Sequence, residues 1–175
     1  MGMTTPFPEP DSPELERFQV YSRVEIVTLL RQLAEEGVLV TGYFDAEPGF
    51  AVTVVLDVNA DFEEVIFDAA AEAVAHKRLL ASKHIVFVGF LDHVKIQFVA
   101  RLAEATQHQG RPAFRVRLPE QVLRLQRRDF FRVRPPLSKP AKCLVPYGDD
   151  GKQYESLRVL DLSVGGLAVL TTGTV

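Results

Sequence analysis

Residues 124–134 read R-L-Q-R-R-D-F-F-R-V-R, and residues 161–166 read D-L-S-V-G-G. The first stretch gathers five arginines, Arg124, Arg127, Arg128, Arg132 and Arg134, around one acid, Asp129. Arg128 and Arg132 are four apart. Positions i and i+4 share a face in a helix, and i, i+2 and i+4 share one in a strand, so either conformation aims two guanidinium groups the same way. Such a pair suits phosphate, because arginine donates two parallel charge-assisted hydrogen bonds. It also suits the O6/N7 edge of guanine. In the second stretch, Asp161 and Ser163 offer hydrogen-bonding groups at a turn. Gly165 and Gly166 permit positive φ and a close approach of backbone to a ligand. A carboxylate can accept from the guanine N1–H and N2–H₂ groups, and a hydroxyl with free N–H groups can serve phosphate.

Both stretches lie in a region whose texture is all β. F-F-R-V-R-P-P-L, A-K-C-L-V-P-Y, S-L-R-V-L-D-L-S and G-L-A-V-L-T-T are short strands broken by Pro, Gly and Asp. Upstream, Pro119 opens P-E-Q-V-L-R-L-Q-R-R-D, which reads as one helical turn and a linker. Residues 112–118 alternate, with Phe114 and Val116 on one face and Arg115 and Arg117 on the other. Residues 83–104 read as two long strands turning near Leu91 and Asp92. The alanine-rich 69–82 predicts a helix. Residues 38–44 and 50–58 predict a hairpin about D-A-E-P-G, and 63–68 a further short strand. Ser22 and Glu25 make a capping box, Val24, Val27, Leu30 and Leu33 follow at helical spacing, and Gly37 is a stop, which predicts a helix over 22–36. Residues 1–13 hold four of the eleven prolines and read as a loose leader.

Composition excludes several classes. The chain has 175 residues, 47% of them hydrophobic, and a formal net charge of -3, so it lacks the cationic surplus that non-specific nucleic-acid binding needs. Cys143 is the one cysteine, which rules out an internal disulfide and fits a reducing cytoplasm. The N-terminus has no signal-peptide pattern, and no run of 18 apolar residues predicts a membrane span. His76, His84, His93 and His108 show no metal-ligand spacing, and neither a P-loop nor a nucleophile elbow is present. Cys143 falls in an apolar strand, where an inert thiol is expected. Glu35/Glu36 and Glu63/Glu64 read as solvated pairs.

Taken in this order, the two motifs resemble the PilZ domain, whose signature is R-x-x-x-R followed some tens of residues later by [D/N]-x-S-x-x-G. Arg128 to Arg132 matches the first half, and Asp161, Ser163 and Gly166 match the second. The run Q-R-R-D-F-F-R-V is similar to the YcgR-type subgroup, flagellar brakes that carry an N-terminal β-rich domain before PilZ. The specific match covers residues 121–172. The resemblance implies a mainly β fold with a few helices (α+β): a leader over 1–19, an N-terminal YcgR-like split barrel over 20–118, a linker over 119–127, and the N-terminal part of a PilZ β-barrel over 128–175. A PilZ barrel usually has about six strands, so the chain is expected to be a fragment.

The resemblance further implies a non-enzymatic receptor. Its ligand would be cyclic di-GMP, held by Arg127, Arg128, Arg132, Asp161, Ser163, Gly165 and Gly166, with no catalytic residue, metal or cofactor. Partners would be flagellar motor or basal-body proteins, with a second copy of the chain as a further candidate. Neither nucleic acid nor membrane insertion is expected, and the location would be cytoplasmic, with recruitment to the basal body. Two alternatives stay open from the residues. One is a nucleic-acid-binding β-barrel that uses Phe130 and Phe131 as stacking platforms. The other is a flavin-binding split barrel in the N-terminal half.

Overall fold

The computed structural model describes residues 7–44, 49–126, 132–147 and 153–171. The expected D-A-E-P-G turn and the first half of the arginine motif fall mostly outside these residues. The chain divides into two compact units, one through Gln126 and one from Arg127 onward.

The first unit begins with a 3-10 helix over Pro13–Phe18, capped by Ser12, and runs into strand β1, Gln19–Val20. Helix α1 follows at Arg23–Glu35. Ser22 caps it by accepting from the Glu25 N–H at 3.5 Å, while the Glu25 carboxylate lies 3.7 Å from Arg124. Gly37 takes a φ of 60° just past the helix, a left-handed conformation that glycine reaches without strain. Helix α1 buries Ile26, Val27, Leu29, Leu30 and Leu33. Strands β2 (Leu39–Phe44), β3 (Gly49–Asn59) and β4 (Glu64–Asp68) follow, then helix α2, Ala73–Ala81. Helix α2 is shorter than the alanine content predicts. Glu72 stands at its N-cap and makes no side-chain cap bond.

Strands β5 (Ile85–Leu91) and β6 (Val94–Ala100) form the expected pair about Asp92, but the second strand ends at Ala100. Residues Ala103–His108 form a separate strand, β7, which pairs with β8 at Arg111–Arg117. The expected helical turn and linker after Pro119 are replaced by strand β9, Val122–Leu125, which pairs with both β1 and β6. The segment read as a leader is likewise docked in part: β1 belongs to the sheet, and the Glu9 carboxylate pairs with Lys95. Strand order is β1-β9-β6-β5-β2-β3-β4-β8-β7.

The inner face of this sheet and the apolar sides of both helices close over one core. At its centre the rings of Phe67, Phe87 and Phe114, all fully buried, stack with centroids 4.6 Å apart for Phe67–Phe87 and 5.0 Å for Phe67–Phe114. Glu63, expected to be merely solvated, instead ties α1 to β8. Its carboxylate accepts from Arg23 at 2.5 Å and from Arg117 at 3.3 Å, and these bonds, Arg23's first, hold its pKa below the usual range.

The second unit is a three-stranded antiparallel sheet: β10 (Lys142–Tyr147), β11 (Gln153–Ser163) and β12 (Gly166–Leu170). Cys143 lies half-buried in β10.

Truncating Phe67 removes the middle ring of the stack, and large-to-small core changes of this kind cost about 3–5 kcal/mol. Phe67→Ala is expected to lower unfolding stability by that amount in a denaturant titration. A loss below about 1 kcal/mol would show that the stack can be relieved by repacking.

Candidate functional site

The site is built on β11. Its register against β12 runs Arg158↔Leu170, Val159↔Val169, Asp161↔Ala168, Leu162↔Leu167 and Ser163↔Gly166, with a bulge between Val159 and Asp161. Cross-strand partners point to the same side of a sheet, and neighbours along a strand point to opposite sides. The extra residue, Leu160, therefore reverses the alternation. Were Leu160 an ordinary paired strand residue, Asp161 would face with Val159, which is buried. With the bulge, Asp161 and Ser163 share a face with Arg158.

Arg132, the described end of the other half of the motif, is brought in by two backbone hydrogen bonds of its neighbour Val133. Val133 N–H donates to Leu162 O at 2.8 Å, and Leu162 N–H donates to Val133 O at 2.9 Å. This isolated antiparallel bridge puts Val133 and Leu162 on one side. The residues flanking Val133, Arg132 and Arg134, then point to the side of Asp161 and Ser163. The side-chain contact agrees: Arg132 Nη1 donates to Asp161 Oδ1 at 3.4 Å. The arginine side chain remains 45% exposed and that of the aspartate 24%. A pair this open and this long is worth about 0–1 kcal/mol, so it orients the guanidinium without locking it.

Val164 and Gly165 form the turn between β11 and β12. The Ser163 hydroxyl donates to Gly166 O at 3.2 Å, across the hairpin. Gly166 has a φ of 155°, a conformation L residues rarely adopt, yet a Cβ built there meets nothing within 4 Å. The demand for glycine at this position is thus one of backbone conformation and not of crowding within the chain.

Of the residues expected from sequence, Asp161, Ser163, Gly165 and Gly166 lie on this hairpin and Arg132 is brought beside Asp161 by the Val133 bridge. Arg127 and Arg128 lie outside the described residues. Beside Asp161 is a concavity of about 450 Å³ lined by Arg134, Arg158, Leu137 and three prolines, Pro135, Pro136 and Pro140. Sequence reading missed Arg158, because strict alternation through Leu160 assigns it to the face opposite Asp161. Arg134 was visible as a cation but had no reason to be placed with Asp161 until the bridge fixed its strand. Among the described residues no cluster of three or more His, Cys, Asp or Glu side chains is placed to hold a metal ion. Among them also, no helix is long and apolar enough to cross a membrane.

A β unit with two α-helices, followed by a three-stranded sheet that presents arginines beside an aspartate and a serine, defines a mainly β protein. Comparison with known proteins places it further. Residues 18–124 match the family described as "Flagellar regulator YcgR, PilZN domain". The chain is 34% identical over 161 residues to the flagellar brake protein YcgR of Janthinobacterium sp. (strain Marseille), covering 91% of this chain and 64% of that protein. It is 36% identical over 160 residues to the protein of the same name from Chromobacterium violaceum, again covering 64% of it. The counterpart in Thauera aminoaromatica is 34% identical over 178 residues, with 96% of this chain and 67% of that one covered. The chain therefore belongs to the YcgR flagellar-regulator family. It spans 64% of the length of the first two relatives.

Solved structures share the fold. Escherichia coli YcgR in complex with c-di-GMP superposes with a TM-score of 0.64 at 21% identity, over 91% of this chain and 67% of that one. The isolated YcgR-N domain from the same organism gives 0.57 at 17% identity, over 63% of this chain and 96% of that one.

Gly166→Val forces a branched side chain into a φ it avoids, at a cost on the order of 1–3 kcal/mol. The variant is expected to lower the melting midpoint and to broaden the backbone amide resonances of residues 163–166. A chain that tolerates valine with an unchanged midpoint and unshifted resonances would show that the turn relaxes freely.

Proposed function

We propose that this chain is a cyclic di-GMP receptor that works by binding alone, without catalysis, and relays the signal to a protein of the flagellar motor. The reading rests above all on the Val133–Leu162 bridge, which puts Arg132 on the face of Asp161 and Ser163 although 29 residues separate Arg132 from Asp161. Family membership supports it, as does the fold shared with E. coli YcgR, whose structure is that of a complex with c-di-GMP. On this reading Arg127, Arg128 and Arg132 take the phosphates and a guanine edge, Asp161 accepts from the guanine N1–H and N2–H₂, and the Ser163–Gly166 turn approaches the ligand with its backbone. The unit through Gln126 is the receptor's N-terminal module, and the unit from Arg127 is the N-terminal part of its PilZ domain. A cytoplasmic site of action, with recruitment to the flagellar base, goes with that role.

The relay is narrowed by the position of β9. Because Val122–Leu125 is held in the sheet of the first unit, the response to ligand is expected after Leu125 and not within β9. A ligand moves a conformational equilibrium only by its differential affinity for the two states. Clasping the phosphates with the arginines after Leu125 is how the dinucleotide would favour one arrangement of the units over another.

Hydrogen bonds involving a charged partner contribute about 1.5–3 kcal/mol, so losing one weakens binding roughly tenfold to a hundredfold. Calorimetric titration with cyclic di-GMP, with GTP and cyclic di-AMP as controls, is expected to give that loss for Arg128→Ala and for Arg132→Ala with unchanged folding. Undiminished affinity in Arg132→Ala would remove the assignment. In hydrogen exchange, saturating ligand should protect residues 126–132 and leave 122–125 as they were. If binding occurs with no change across 126–132, ligand and domain arrangement are uncoupled.

A further inference from the structure

The face of the first sheet that turns away from the core is apolar too. Cross-strand register aligns Phe50, Tyr43, Val86 and Val99 in one row. The next row holds Val52, Thr41, Val88, Gln97 and Leu123, running from β3 to β9. Val88 and Leu123 are 0% and 3% exposed, although neither belongs to the continuous core on the other side. Something on this face covers them.

Among the described residues, the segment hydrogen-bonded to the polar side chains of this face is Phe7–Glu9. Gln97 brackets the backbone of Glu9: its Oε1 accepts from Glu9 N–H at 2.7 Å, and its Nε2 donates to Glu9 O at 3.0 Å. Lys95 Nζ donates to Phe7 O at 3.0 Å and pairs with the Glu9 carboxylate at 2.5 Å, both side chains mostly buried. The Phe7 ring lies 6.2 Å from that of Tyr43, which lies 6.2 Å from that of Phe50. The face thus reads three things at once: main-chain amide and carbonyl, a carboxylate, and an aromatic ring two residues before it.

The cover is incomplete. Phe7 is itself 68% exposed, and Phe50, Val52, Phe90 and Val99 keep large apolar surfaces in water. The Tyr43 hydroxyl is cut off from solvent and has no hydrogen-bond partner among the described residues, and burial pushes its pKa up. Buried hydroxyls in settled interfaces are nearly always paired. A strap that leaves one unpaired, with apolar surface open on both sides, can be exchanged for a better occupant.

We propose that this face is a docking surface for an extended acidic segment of a protein partner, one carrying an aromatic residue two positions before a carboxylate, and that Phe7–Glu9 is the resident competitor it displaces. Charge complementarity to Lys95 selects the carboxylate. The Gln97 bracket accepts any extended backbone, and the Tyr43–Phe50 pair selects the ring. The proposal does not rest on the dinucleotide reading, and its test contains no dinucleotide.

The probe is a fluorescein-labelled peptide of residues 5–12, Thr-Pro-Phe-Pro-Glu-Pro-Asp-Ser, followed by anisotropy against the whole chain. A Phe7→Ala/Glu9→Arg double variant, which releases the strap, is expected to bind it at least tenfold more tightly than the unaltered chain. Adding Lys95→Glu should abolish that binding and restore it for a peptide with lysine in place of its glutamate. In the chain with its own strap, Val52→Arg should weaken whatever peptide binding remains. Equal affinity with and without the strap, no binding by the released chain, or a double variant that no longer folds would each overturn the proposal. So would light scattering that shows a dimer dispersed by the peptide, since the occupant would then be a second copy.

Discussion

Side chains in a strand alternate between two faces, and each unit of this protein is shaped by where that alternation is obeyed and where it is broken. In the first unit it is obeyed. Phe87 points inward into the stack with Phe67 and Phe114, and its neighbours Val86 and Val88 must then point outward. Gly42, opposite Phe87, leaves room for the ring: a Cβ there would lie 2.9 Å from Phe87 Cε1. An inner face filled by aromatic rings thus produces an outer face of β-branched and aromatic residues, and that face needs its own cover. The strap of Phe7–Glu9 answers this need in part.

In the second unit the alternation is broken once, at Leu160, and the site depends on the break. The bulge takes Asp161 off the buried side and sets it beside Arg158 and, through the Val133 bridge, beside Arg132. The result is three arginines, Arg132, Arg134 and Arg158, near one carboxylate. Like charges this close repel, and Asp161 offsets only part of the repulsion through one exposed contact. Among the described residues of the site, three guanidinium groups thus stand against the one Asp161 carboxylate. On the proposed reading, a ligand with two phosphates would supply negative charge to this face, and its guanine would take over the carboxylate that Arg132 holds weakly.

Much of this was legible in the sequence, for local reasons. Ser22 and Gly37 bracket α1 because capping and a left-handed stop are decided within a few residues. The two motif halves were recognisable as residue types at fixed spacing. Strand β7, Ala-Glu-Ala-Thr-Gln-His, was missed because it holds a single β-branched residue and gains its stability from pairing with β8. Strand β9 was missed because Pro119 and the charges around it outweigh four residues whose partners lie in β1 and β6. The strap looked loose because its prolines exclude regular structure, while its contacts, to Lys95 and Gln97, lie 86 to 88 residues away. The bulge leaves no trace in composition at all.

Strand β9 also sets the terms on which binding can be felt by the first unit. It is the last strand before the arginine run, and it lies between β1 and β6. In register it pairs Leu125 with Lys95 and Leu123 with Gln97, the two residues of β6 that hold the strap. The arginine run and the strap are therefore both attached to the same pair of strands, one covalently and one by side-chain hydrogen bonds. Contiguity alone does not make two sites cooperative. What coupling requires is an element with two arrangements that both ligands bias, and β9 within a continuous sheet is too well paired to be that element. The strap lies outside the strand ladder, and the Gln97 carboxamide, the Lys95 ammonium group and the Tyr43 ring hold it through side chains. If the dinucleotide and a docked segment influence one another, the strap is the part with freedom to move, and linkage requires the effect to be equal in both directions.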